Sequence, residues 1–141
     1  METTDFCSYE LSKRLKGCGF NEPCDHYYNG HGNLNRYADT DRINRNTNGH
    51  HTPSCSAPTL AHAQKWLREE KGIDVLVWNC ACGYGWEISK ADPQSRGTTL
   101  EFYDDNGEDR DSGMWLTYEN ALSAGINVAL QLLDNEKQMT I

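Results

Sequence analysis

Two amphipathic helical stretches with a strongly β-like stretch between them constrain this chain more than any other feature. After Thr117, the residues Tyr118, Ala121, Leu122, Gly125, Ile126, Ala129, Leu130 and Leu133 recur at the spacing of a helix that buries one face. Residues 59–71 repeat the pattern with Leu60, Ala63, Trp66 and Leu67, opening on Thr59 behind Pro58 and stopping at Gly72. Across residues 74–90, Leu76, Trp78, Cys80, Cys82, Tyr84, Trp86 and Ile88 alternate with smaller or polar residues, the period of a strand. That stretch is too long for one average strand, and Gly83-Tyr84-Gly85 can turn it. Residues 74–82 and 86–90 are therefore expected to pair antiparallel, with Leu76, Trp78 and Cys80 on the core face.

The other elements follow from local chemistry. A first helix is expected over 6–16, with Cys7, Leu11, Leu15 and Cys18 inward and Gly17 or Gly19 as its left-handed stop. Residues 24–28 and 34–38 flank an Asn29-Gly30 turn and predict a hairpin. Residues 98–103 predict a further strand, Asp105-Asn106-Gly107 a turn, and residues 114–116 a short return before Thr117 caps the last helix. The expected fold is a single α+β domain over 1–141. Its antiparallel sheet would have about four to six strands in two or three hairpins, with three helices packed mainly on one face. Residues 39–56, rich in asparagine and histidine, offer little to bury and are expected to form a mobile insertion.

A chain of 141 residues can bury roughly 70% of its unfolded surface. Four tryptophans and seven tyrosines supply much of the apolar bulk. The net charge of −8 opposes direct nucleic-acid binding, which needs cations to neutralise phosphates, and opposes an anionic membrane surface equally. Glu101, Asp104, Asp105, Glu108, Asp109 and Asp111 concentrate the acidity in a solubilising loop. Met1 is followed by Glu2 and Thr3 rather than by basic and apolar regions of a signal peptide, and no run approaches the ~20 apolar residues of a membrane span. A cytoplasmic protein is expected, with its six cysteines reduced and mostly serving as small buried hydrophobes.

Ala57-Pro58-Thr59-Leu60-Ala61 running into Gln64-Lys65-Trp66-Leu67-Arg68-Glu69-Glu70-Lys71-Gly72-Ile73 resembles a helix shared by small uncharacterised proteins of bacteriophages and mobile elements in gut bacteria. Tyr118-Glu119-Asn120-Ala121-Leu122-Ser123-Ala124-Gly125, followed by Leu130-Gln131-Leu132-Leu133, is similar to their closing helix. Leu11-Ser12-Lys13-Arg14-Leu15-Lys16 with Gly19-Phe20 is similar as well, and together these cover about a third of the chain. The resemblance implies a bacterial host cell as the setting, and it carries no activity and no site residues.

Residues that could carry chemistry are few. Cys80 and Cys82 form a Cys-x-Cys on one strand, but a structural zinc site needs four ligands. Cys24 and His26, with His31 on the following turn, could complete a composite site if the two hairpins adjoin. His50-His51 with Cys55 is a second ligand cluster, while His62 on the second helix is expected to be exposed. Counting from Asp104, an EF-hand would need glycine at Asp109 and a bidentate glutamate at Trp115, so the calcium pattern fails. No nucleophile elbow, phosphate-cradling loop or zinc-protease helix occurs, so no catalytic or cofactor-binding residue is assigned.

The leading expectation is a non-enzymatic phage or mobile-element accessory protein acting through protein contacts. One alternative is a zinc-binding or cysteine-dependent protein using Cys80, Cys82, Cys24 and His26. Another is an acidic inhibitor of a nucleic-acid-binding host enzyme. Val75 and Val77 opposite Leu76 and Trp78, with Val128 and Leu132 beside the last helix's stripe, predict an apolar excess that a homodimer would cover.

Overall fold

The computed structural model describes residues 3–36, 54–81, 83–91, 99–104 and 115–139. The chain divides into two compact units, Met1–Ala63 and Gln64–Ile141.

In the N-terminal unit, α1 spans Tyr9–Gly17 and opens at Ser8, whose Oγ accepts the Leu11 N–H at 3.1 Å. It starts later than residue 6 because Cys7 donates its N–H to the Pro58 carbonyl at 2.9 Å and Phe6 forms an antiparallel bridge with Thr59. Its end is a Schellman motif. Gly19, at φ +99°, lets its N–H reach the Lys16 carbonyl at 3.2 Å while the Phe20 N–H reaches the Leu15 carbonyl at 2.9 Å. Phe20 and Leu15, the two positions whose apolar side chains accompany such a stop, are both fully buried. Strand β1, His26–Tyr28, pairs on one side with β2, Leu34–Arg36, and on the other with β3, Cys55–Ser56.

The C-terminal unit takes most of α2, Leu60–Lys71, within which the division falls. Thr59 caps α2 through Oγ1, accepting the His62 N–H at 3.1 Å, and Gly72 ends it at φ +69°. Strands β4, Ile73–Cys80, β5, Gly83–Ala91, and β6, Thr99–Asp104, form an antiparallel sheet in that order, with an irregularity at Lys90/Ala91. Helix α3, Tyr118–Met139, is capped by Thr117, whose Oγ1 accepts the Asn120 N–H at 3.1 Å. It packs on the sheet so closely that a Cβ at Gly125 would stand 2.7 Å from Val75 Cγ1 and 3.2 Å from Trp86. Ile73, Val75, Trp86 and Ile88 are buried on the sheet, and Ala121, Leu122, Ile126, Ala129 and Leu130 on the helix.

The α+β class and the strand number agree with the sequence, whereas the short return at 114–116, expected to pair back on the strand at 98–103, instead has Trp115 bridging Tyr84 of β5, the 105–107 turn lying outside the described residues. The strands form two three-stranded sheets rather than one. Cys55–Ser56, expected within the insertion, fills the second side of β1 and completes the first sheet inside its own unit. Ser54 of the expected insertion is also described, and residues 39–53 lie outside the described residues.

A second difference concerns the faces of β4. Val75, expected outside, is buried, and Leu76, expected inside, is 46% exposed. The register explains this. Val75 pairs with Ile88 and Val77 with Trp86, so odd positions of β4 share a face with even positions of β5. The hairpin reverses the phase that continuous alternation implies.

Ile126 is fully buried on α3, whereas Gln131 on the same helix is exposed. Ile126→Asp buries an unpaired charge and is expected to cost more than about 4 kcal/mol, abolishing cooperative thermal unfolding. Gln131→Asp should stay within about 0.5 kcal/mol of the parent. Equal melting temperatures for the two variants would contradict this placement of α3.

Candidate interaction site

The end of the second sheet where β4 turns into β5 combines a strand edge that is unpaired among the described residues with exposed apolar side chains. Cys80 pairs with Gly83 across the two-residue turn, and such a closing pair is hydrogen-bonded. Antiparallel alternation then turns the peptide groups of Val75, Val77 and Asn79 away from β5. Two contacts agree with this phase. Gln64 Nε2 donates to the Val75 carbonyl at 2.6 Å. Tyr84, opposite Asn79, directs its own peptide away from β4, donating to the Trp115 carbonyl at 2.8 Å and accepting the Trp115 N–H at 3.1 Å. The outward N–H and C=O groups of Val77 and Asn79 have no hydrogen-bond partner among the described residues, since β4 is the edge of its sheet.

The chain around the turn carries no charge, with Asp74 before it on β4 and Glu87, the partner of Leu76, after it on β5. No charged residue occurs between Val75 and Trp86. The Trp78 ring lies against Gly85, where a Cβ would collide with it. Tyr84 meets Tyr118 edge-on at 6.2 Å between ring centroids, and Trp86 meets Trp115 at 6.4 Å. Leu116 is 86% exposed and Tyr118 43% exposed beside them.

The cysteine and histidine candidates fall in both units. Cys24 and His26 lie in the N-terminal unit, and Cys80 lies on β4 of the other. Cys24 is buried, with Sγ donating to the Glu22 carbonyl at 3.5 Å. The His26 ring sits 4.5 Å from that of Phe6, and burial, then the Arg36 charge, lowers its pKa. His31 occupies an exposed hairpin tip, its backbone N–H held by Asn29 Oδ1 at 2.9 Å. The Cys80 side chain, Cys82, His50 and His51 lie outside the described residues. Among the described residues, no group of three His, Cys, Asp or Glu side chains is gathered to hold a metal ion.

His62, expected to be exposed, is half-buried. Its Nε2 lies 2.6 Å from Glu22 Oε1 and its ring meets Phe20 edge-on at 5.2 Å. Nothing in local spacing announces this pair, because Glu22 is 40 residues away.

The buried thiols are chemically quiet. Burial pushes the Cys55 thiol up to about 11, against the opposing pull of Lys16 and Lys13. Burial, reinforced by Cys24, drives Cys7 above the thiol range altogether. Thiols held protonated are poor nucleophiles and poor metal ligands.

Compared with known proteins, the chain matches no family model, no curated protein and no solved structure.

Native Cys7 and Cys55 are expected to resist iodoacetamide at pH 8 and to react fully in denaturant, read by peptide mass spectrometry. The neutral Cys55 thiol favours the folded state, so its contribution is complete below the ordinary value of 9.0 and is lost as pH rises toward about 11. Chemical denaturation should show stability falling through that window, with a smaller fall in Cys55→Ser. Identical pH profiles for the two proteins would refute the assignment.

Proposed function

We propose that this protein is a non-enzymatic accessory protein of a bacteriophage or mobile element, acting in the cytoplasm of the bacterial host by binding another protein. The supporting observation is the hairpin end of the C-terminal unit. There, in a chain with a net charge of −8, the uncharged stretch from Leu76 to Gly85 leads from the edge strand β4 into β5, where Tyr84 meets Tyr118 of α3, and Leu116, two residues before Tyr118, is exposed. Exposed apolar side chains grouped in this way mark contact surfaces, and aromatic residues are enriched where such contacts are made. The resemblance of α2 and α3 to proteins of phages and mobile elements supports the biological setting.

The test begins with affinity capture from the host that carries the gene, then uses the purified partner. Leu116→Asp is expected to weaken binding by about tenfold or more, measured by calorimetry, while folding is preserved because Leu116 is almost wholly exposed. Unchanged affinity for the variant would move the contact elsewhere. Failure of any protein to co-purify at stoichiometric level would overturn the reading.

A further inference from the structure

We infer that the open edge of β4 pairs with the β4 edge of a second copy of this chain, joining two three-stranded sheets into one about a two-fold axis. This rests on the reading of the hairpin end as a contact surface and names the occupant of its edge.

An unpaired strand edge is a template for another strand, and proteins ordinarily blunt it with charge, proline or a bulge. The first part of β4 is protected. Gln64 from α2 occupies the Val75 carbonyl, and Asp74 places a charge beside it. From Val77 onward these devices stop. The strand has no proline and no charge up to its turn, its register with β5 runs without irregularity, and Leu76 and Asn79 are exposed.

The same residues select a second copy as the occupant. Elsewhere, a chain with 21 acidic and 13 basic residues repels its own copies. The uncharged run between Val75 and Trp86 is where two copies approach without opposing like charges. The Gln64 contact also fixes the register. Pairing must leave the Val75 carbonyl to Gln64, so the ladder uses Val77 and Asn79 alone. Val77 of one copy then exchanges both peptide hydrogen bonds with the partner's Asn79, and Asn79 with the partner's Val77, about an axis at Trp78. The arrangement is reciprocal and closed, as a two-fold interface requires.

Light scattering at micromolar concentration tests this on the full chain. The parent is expected at twice 16.0 kDa, and a mass near 16.0 kDa overturns the inference. Asn79→Pro removes an outward-facing donor without touching the β4–β5 ladder, and Trp78 before it is already extended, as a residue preceding proline must be. It removes half of the donors of the new ladder and is expected to weaken dimerisation by about tenfold or more.

Leu76→Lys places a cation on the exposed face of the same edge and is a second route to the monomer. It keeps the test decisive if the proline variant unfolds. A dimer that persists in the folded variants overturns the edge assignment. Amide exchange adds a further readout. The Val77 and Asn79 amides should gain protection as protein concentration rises, whereas protection independent of concentration would mean that another segment of the same chain covers the edge. Leu116→Asp is expected to leave the dimer intact, because Trp115 joins Tyr84 on the side of β5 away from β4. Loss of hetero-binding and loss of self-pairing therefore register in different variants.

Discussion

The close approach of α3 to the β4–β5 hairpin at Gly125 is the contact on which the C-terminal unit depends. A side chain there would collide with Val75 and crowd Trp86, so the helix backbone rests almost directly on these two residues. That contact turns Val75 and Trp86 inward. With Val75 fixed, the pleat turns Leu76 and Trp78 outward. With Cys80 and Gly83 closing the turn, alternation also decides which peptide groups face the open edge. The character of the surface is thus set from inside the core, by a glycine that tolerates no substituent.

Elements specified by local chemistry were legible in the sequence. Thr59 and Thr117 cap the helices they were expected to cap, and Gly19 and Gly72 stop theirs in left-handed conformations. Ala121, Leu122, Ile126, Ala129 and Leu130 are buried as their spacing requires, because a helix has a fixed period and one buried face. The hairpin was legible as a hairpin, but its faces were not. Leu76 through Ile88 alternate as one strand would, yet pairing Cys80 with Gly83 puts odd residues of β4 beside even residues of β5. Periodicity carries no information about that reversal unless the turn is placed correctly, and Gly83-Tyr84-Gly85, expected to turn the chain, instead opens β5.

What was not legible depended on partners distant in sequence. Strand β3 is two residues long and exists because β1 offers it an edge. His62 was indistinguishable from a solvated helix residue until Glu22 and Phe20 were brought to it. The open edge itself is a statement about pairing: a strand signals its own extended conformation but not the identity of its neighbours.

The N-terminal unit solves a different problem. Much of its core is built from residues with polar atoms, namely Tyr28, Cys7, Cys55, Ser54 and Ser56. Such residues are ordinarily buried where backbone groups meet their polar tips, although the Ser12 Oγ of α1 is buried with no hydrogen-bond partner among the described residues. Tyr28 donates its hydroxyl to the Cys7 carbonyl at 2.6 Å, and Ser54 donates Oγ to the Tyr28 carbonyl at 3.0 Å. Lys16 extends Nζ to the Ser54 carbonyl at 2.9 Å. These bonds cross between segments far apart in sequence, so they fix the order in which α1, β1 and β3 stack more sharply than apolar contact alone would. The cysteines belong to the same economy of space. Cys55 packs with Tyr28 and Ala57, and its thiol is held protonated by the burial that makes it a good filler. A cysteine-rich composition here therefore accounts for packing.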